Sequence, residues 1–206
     1  MTDQFFYPNI WGRSILTSAD EILGTNGVNA LLNLAGLQEY IDNYPEDNIS
    51  KAFSFSHVAR LQQALYDMYG SRGARVFATR GGEQTFNHSL KKYDKVQKMA
   101  QQAMRVGSTE VRHRIGLQFF SKFFNTVSDQ VVRIEEDDTY WYWIIETCPI
   151  CWERTATEPV CHLGIGVLKA ASTWATGGKE FRIAETQCIA MGAESCVYTV
   201  EKHPIN

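Results

Sequence analysis

The chain has 206 residues, a formal net charge of −3, 44% hydrophobic residues and 12% aromatics. That is enough apolar material for one packed domain, and it argues against disorder. The small mixed charge excludes a global footprint for nucleic acid or an anionic membrane, and no apolar run approaches the ~20 residues of a membrane span.

The opening residues Met1 to Gln4 lack the basic and apolar regions of a signal peptide, so a cytoplasmic location is expected. Lasting disulfides are disfavoured there. Residues 1–10 read as an arm, with Phe5, Phe6 and Tyr7 free to dock and Pro8 stopping regular structure. Trp11, Ile15, Leu16, Ala19 and Leu23 have helical spacing, which Gly24 and Gly27 break. A short helix follows over Val28–Leu34, then a polar loop over Glu39–Ser50. Ser54 or Ser56 can cap the next helix, whose stripe is Val58, Leu61, Leu65 and Met68 and whose end is set by Gly70 and Gly73.

Residues 74–86 fit helix or strand. Residues 90–106 read as a basic amphipathic helix, with Tyr93, Val96, Met99 and Met104 inward and Lys91, Lys92, Lys95 and Lys98 outward. Such a face is more often solvated than a binding patch. Thr109 can cap a helix to Val127, with Val111, Ile115, Phe119, Phe120, Phe123, Phe124 and Val127 as its apolar members. Beyond Asp129 the texture turns to strands: Val131–Ile134, a turn at residues 135–138, and Thr139–Thr147 with Tyr140, Tyr142 and Ile144 opposite Trp141, Trp143 and Ile145. A loop from Cys148 leads to a helix from Cys161 to Gly177. Phe181–Cys188 and Cys196–Glu201 then form a hairpin across Met191 and Gly192. Gly164 and Gly166, inside that helix, signal close packing rather than phosphate binding.

All five cysteines, Cys148, Cys151, Cys161, Cys188 and Cys196, fall in the last third of the chain, a pattern that favours metal binding or catalysis over a disulfide framework. A hairpin sets Cys188 beside Cys196, and Cys161 opens the preceding helix, where unpaired N–H groups favour a thiolate. For a fourth ligand, Glu185, His162 and Cys148 are equally plausible on spacing. The competing reading makes the cysteines small buried hydrophobes. Cys148-x-x-Cys151 reads as a second metal pair, a redox pair or pocket wall. A four-thiol iron–sulfur cluster can be drawn from Cys148, Cys151, Cys161 and either later cysteine.

The segment from Tyr142 to His203 resembles the 4-vinyl reductase domain family. The matching text is CPIC, then PVCHLGIGVL, then ETQCIAMGAESCVYTV, with its Glu-x2-Cys-x7-Cys spacing. In aromatic-responsive transcription activators carrying this domain the pattern puts zinc on one Cys, one Glu and two more Cys. The resemblance therefore implies zinc on Cys161, Glu185, Cys188 and Cys196, with a structural role because protein fills all four positions. The family is similar in fold to TRAPP subunits, which implies an α+β class with N-terminal helices packed on a twisted antiparallel sheet and a zinc-stapled helix–hairpin. Residues 1–130 would be mainly helical, giving a dimerisation surface and one pocket wall. Residues 131–206 would carry the zinc, both parts forming one structural unit.

In the aromatic-sensing relatives a His and a Trp upstream of the first Cys grip the ligand's hydroxyl, which implies His113 and Trp141 here. By position alone, His113, between Arg112 and Arg114, reads as a solvated helix residue ahead of a ligand contact, and Trp141 and Trp143 read as plain core. Phe120, Phe124, Trp141, Trp143 and Trp174 would suit a flat apolar guest. The expectation is a zinc-containing, homodimeric binding protein for a small hydrophobic or aromatic molecule, tetrapyrroles included, acting as sensor or carrier. The alternatives are an accessory or catalytic subunit of (bacterio)chlorophyll 4-vinyl reduction with an iron–sulfur cluster, and a protein–protein interaction module.

Overall fold

The computed structural model describes residues 5–93, 98, 102 and 107–205. Strand β1 (Phe6–Pro8) pairs antiparallel with β2 (Lys51–Ser54) and leads into helix α1 (Asn9–Ala35). Helix α2 spans Phe55–Lys92, α3 spans Thr109–Val127 and α4 spans His162–Thr176. Strands β3 (Val132–Glu136), β4 (Tyr140–Ile145), β5 (Ile183–Gln187) and β6 (Cys196–Glu201) form an antiparallel sheet in the order β3-β4-β6-β5. The class is α+β, as expected. Helix α3, the last of the N-terminal helices, packs against β3, and α4 packs against β5. Helix α2 lies on α4, and α1 on α2. One hydrophobic core runs through all of these, from Tyr7 and Trp11 to Tyr198 and Val200.

From Phe5 onward the N-terminal arm is docked. Its backbone pairs with β2, a strand hidden at the end of a polar loop, and the Tyr7 hydroxyl donates to Gln130 Oε1 at 2.6 Å. Ser54 caps α2, accepting from the Ser56 N–H at 3.0 Å. Ser108, rather than Thr109, caps α3, accepting from the Val111 N–H at 3.3 Å. Most of the basic helix expected over 90–106 lies outside the described residues. Helix α2 itself runs as far as Lys92, which pairs with Asp47.

The glycine pairs expected to end two helices instead bend them. Gly24 (φ 72°, ψ 164°) and Gly70 (φ 66°, ψ 176°) each leave helical geometry for one residue, and the helix then resumes. This backbone region is essentially closed to other residues. The bend swings the preceding turn over the position three residues on. A Cβ at Gly27 would lie 2.7 Å from Leu23 Cβ, and one at Gly73 would lie 2.7 Å from Tyr69 Cβ. The same spacing therefore recurs in both helices for one steric reason. Residues 74–86 are helical throughout. There α2 meets α4 backbone to backbone: a Cβ at Gly166 would stand 1.9 Å from Thr79 O, and one at Gly82 would stand 2.1 Å from Leu163 O.

Helix α3 buries a different stripe from the apolar one. His113, Gly116, Leu117, Phe120, Ser121 and Phe124 face inward, while Val111 is exposed. Phe119 and Phe123 form a second, half-buried edge against Phe120 and Tyr93.

Candidate functional site

The sheet register builds most of one face of the site. Residues opposite each other in an antiparallel pair share a face, and alternate residues repeat it. Trp143 lies opposite Tyr198, and Tyr198 lies opposite Glu185; Ile145 lies opposite Cys196. Trp141, Trp143, Tyr198, Cys196 and Glu185 therefore line one buried face. A register shift between Glu185 and Gln187 interrupts the β5–β6 ladder, which closes with Gln187 opposite Val197, and the chain then turns back through a short 3-10 helix at Ile189–Met191. That turn holds Cys188 beside Cys196, with the Ile189 N–H donating to Cys196 Sγ at 3.3 Å. The loop 148–160 folds over the same corner, tied by the Ala156 N–H to Ala190 O at 2.8 Å.

Cys161, at the N-terminus of α4, closes the corner. Its N–H donates to Glu185 Oε2 at 2.8 Å, and its carbonyl accepts from the Tyr198 hydroxyl at 3.2 Å. The structure brings Cys161, Glu185, Cys188 and Cys196 together, with one ligand atom from each lying within 4.8 Å of the others. It also brings Cys148, Cys151, Cys161 and Cys196 within the same limit. His162, a fourth-ligand candidate on spacing, is in neither group. All five thiols are free and essentially inaccessible. Sulfur–sulfur separations are 3.7 Å for Cys148–Cys161, 3.4 Å for Cys151–Cys196, 3.8 Å for Cys161–Cys188 and 3.9 Å for Cys161–Cys196.

The donor set fits a zinc-class ion on two counts. An ion bonded to sulfur at ~2.3 Å places its tetrahedral sulfurs ~3.8 Å apart. Glu185 Oε1 is buried with no hydrogen-bond partner, so one carboxylate oxygen faces the thiols uncompensated. Without a cation the group is electrostatically awkward. Burial first, and then the Cys188 thiolate, push the Glu185 carboxyl up to about 8. At Cys148 burial raises the thiol pKa, but hydrogen bonding from Cys151, Cys161 and Cys196 outweighs it and holds the group well below the ordinary range. Burial dominates at Cys161 and pushes it up. Arg154, half-buried, has its charge near Cys161, Cys151 and Cys188 and is anchored by Ile150 O at 3.1 Å and Gln63 Oε1 at 3.1 Å.

At the other end of α4, His113 is 0% exposed, which overturns its reading as a solvated helix residue. The bulk of Phe181 and Trp141 requires this: their rings stand 3.9 and 4.5 Å from the imidazole. His113 Nε2 is 2.9 Å from Ser172 Oγ. His113 Nδ1 and Trp141 Nε1 are both buried without a partner. Burial lowers the His113 pKa to about 3, so the ring is neutral. Open grooves of about 420 Å³ beside Trp141 and about 830 Å³ beside Phe181 flank this pair.

The remaining aromatics named from sequence fall into two separate contacts: Phe120 with Trp174 at 5.6 Å, and Phe124 with Trp143 at 6.2 Å. The cavity that Phe124 and Trp143 share with Trp11 and Tyr198 measures about 30 Å³. Phe124 and Trp143 therefore pack the core, whereas the half-buried Trp174 lines the groove beside Phe181. Ser172, Phe181, Tyr198 and Arg154 escaped the sequence reading. Ser172 carries the one usable signal, a polar residue in step with the apolar Leu168, Ala171 and Ala175 stripe of α4.

Residues 141–202 match the family model of the 4-vinyl reductase domain. No curated protein matches the chain. Among solved structures, the fold is similar to the Fe(II) unliganded H-NOX protein from K. algicida, at 11% identity and TM-score 0.57, covering 95% of this chain and 96% of that one. It is similar to an H-NOX protein from S. oneidensis in the Fe(II)NO ligation state, at 11% identity and TM-score 0.55, covering 94% and 99%. It is also similar to the phenol-responsive sensory domain of the transcription activator PoxR with phenol, at 16% identity and TM-score 0.52, covering 84% and 88%. At these identities the likeness is one of fold. Among the described residues no helix is long and apolar enough to cross a membrane.

Proposed function

We propose that this chain, with its 4-vinyl reductase domain match over residues 141–202, is a sensing or carrier domain for a small hydroxylated aromatic molecule. A structural zinc-class ion at Cys161, Glu185, Cys188 and Cys196 braces it. The observation that carries the reading is the pair of buried, unpartnered ring nitrogens at His113 and Trp141. Such atoms are costly to leave unsatisfied. Their chemistry is that of a hydroxyl trap. Ser172 in α4 can take the His113 Nε2–H, which leaves Nδ1 as an acceptor, and Trp141 Nε1–H is a donor only. A hydroxyl satisfies both at once, donating to the imidazole and accepting from the indole. The Phe181 ring supplies an apolar wall for the attached aromatic.

A neighbour of the same fold is a phenol-responsive domain with phenol bound, and this supports the choice of guest. The close ring packing about His113, 3.9 Å to Phe181 and 4.5 Å to Trp141 between centroids, favours a single ring over a tetrapyrrole. Binding then requires Phe181 or Trp141 to yield toward one of the flanking grooves. The ion's contribution is to fix the head of α4 to the hairpin; with four protein donors it offers no open coordination position.

Calorimetric titration with phenol tests the reading. Wild-type protein binds, and Trp141→Phe, which keeps the ring but removes the N–H, weakens binding about 5-fold, the equivalent of one neutral hydrogen bond. Equal affinity in the two proteins, or no heat of binding with phenol and its methylated homologues, overturns it.

A further inference from the structure

The single-ion site uses three of the five buried thiols and leaves Cys148 and Cys151 without a role. We infer that the corner holds two zinc-class ions, in two tetrahedra that share the edge between Cys161 and Cys196. The first ion is the one bound by Cys161, Glu185, Cys188 and Cys196. The second is bound by Cys148, Cys151, Cys161 and Cys196, so the two shared sulfurs act as thiolate bridges. This rests on the reading of the corner as a metal centre.

Geometry is the first argument. Both four-residue groups assemble within 4.8 Å, and they overlap in Cys161 and Cys196 alone. The shared sulfurs stand 3.9 Å apart. The second group adds Cys148 at 3.7 Å from Cys161 and Cys151 at 3.4 Å from Cys196. All of these lie near the ~3.8 Å edge of a metal–sulfur tetrahedron. A four-iron cubane interposes iron and sulfide between its cysteines and needs a wider spread than these thiols have.

Chain connectivity is the second argument. The chain supplies the second pair from a loop that follows β4 directly. Ile145 lies opposite Cys196, so the chain leaving β4 reaches the bridging sulfur within a few residues.

The test is a count of ions. The full chain, purified and supplied with Zn(II), is measured by native mass spectrometry and by elemental analysis. Two zinc ions per chain are expected for wild type, and one for the Cys148→Ser/Cys151→Ser double variant. The Co(II)-loaded wild-type protein, with thiolate bridges, should show a magnetic moment per cobalt below that of the one-cobalt variant. The wild-type count stands even where the variant fails to fold. One ion in wild type overturns the second site and leaves the first intact. No ion overturns both, as does iron accompanied by acid-labile sulfide. Two ions with full, uncoupled moments place the second ion elsewhere and overturn the bridge.

Discussion

Acid should unfold this protein partly through one residue, His113. The ring is 0% exposed and its pKa is lowered from 6.5 to about 3 by burial. In the unfolded chain the ring is protonated below about 6.5. The sign follows: the unfolded state takes up the proton first as pH falls, so the neutral imidazole's contribution is fully present above pH 6.5. It is lost progressively toward pH 3. At pH 5 the difference is about 1.5 units, or about 2 kcal/mol at 1.36 kcal/mol per unit. His113→Phe removes the titration while keeping a flat ring of similar size. Urea unfolding of both proteins at pH 7.5 and pH 5.0 gives two stability losses. Wild type should lose about 2 kcal/mol more than the variant. Any acid-driven weakening of the cysteine corner is common to both and cancels in the comparison. Losses that agree within about 0.5 kcal/mol would refute the claim that this ring is buried neutral.

Glu185→Gln should weaken metal retention, because the amide is a poorer ligand for the unpartnered position; dialysis against a chelator, followed by metal analysis, should show faster loss than wild type. Cys188→Ala should lose an ion and lower the melting temperature together, since metal binding and folding are coupled in such sites; an unchanged melting curve at full occupancy contradicts the assignment. Gly166→Ala drives a methyl into the Thr79 carbonyl, and because backbone stands on both sides of the contact it should cost at least about 1–3 kcal/mol in chemical denaturation. Gly24→Ala meets open space but a forbidden backbone region, so its cost, about 1–3 kcal/mol, should come from conformation alone and leave phenol binding unchanged.

The cysteine corner is legible because cysteine is rare and its spacing is rigid: a helix start, a strand end and a return strand can meet in few ways. Glu185 was not distinguishable from His162 or Cys148 on spacing, because the choice depends on a cross-strand register that fixes which residues share the Tyr198 face. Ser54, the span of α3 and the β4 alternation were read from local chemistry alone. The glycine pairs mark a break in sequence but not its kind, since a single residue of positive φ bends a helix as easily as it ends one. The β1–β2 pair was invisible because its hydrogen bonds join residues far apart in sequence and its polar approach, residues 39–50, resembles any loop. His113 fell between two readings because two flanking arginines mark an exposed turn, and only the neighbouring Trp141 and Phe181 rings exclude water from it.

Helix α4 joins the two chemistries in one rigid rod. Its head is fastened by Tyr198 and Glu185 at Cys161, and Ser172, eleven residues on, carries the imidazole contact. At 1.5 Å per residue that is ~16 Å of lever arm. Between them, at Gly166, the rod rests on α2 with no interlocking side chains. A bare backbone crossing leaves neither helix a side chain to cushion the contact, so main-chain atoms alone fix the spacing of the two rods there.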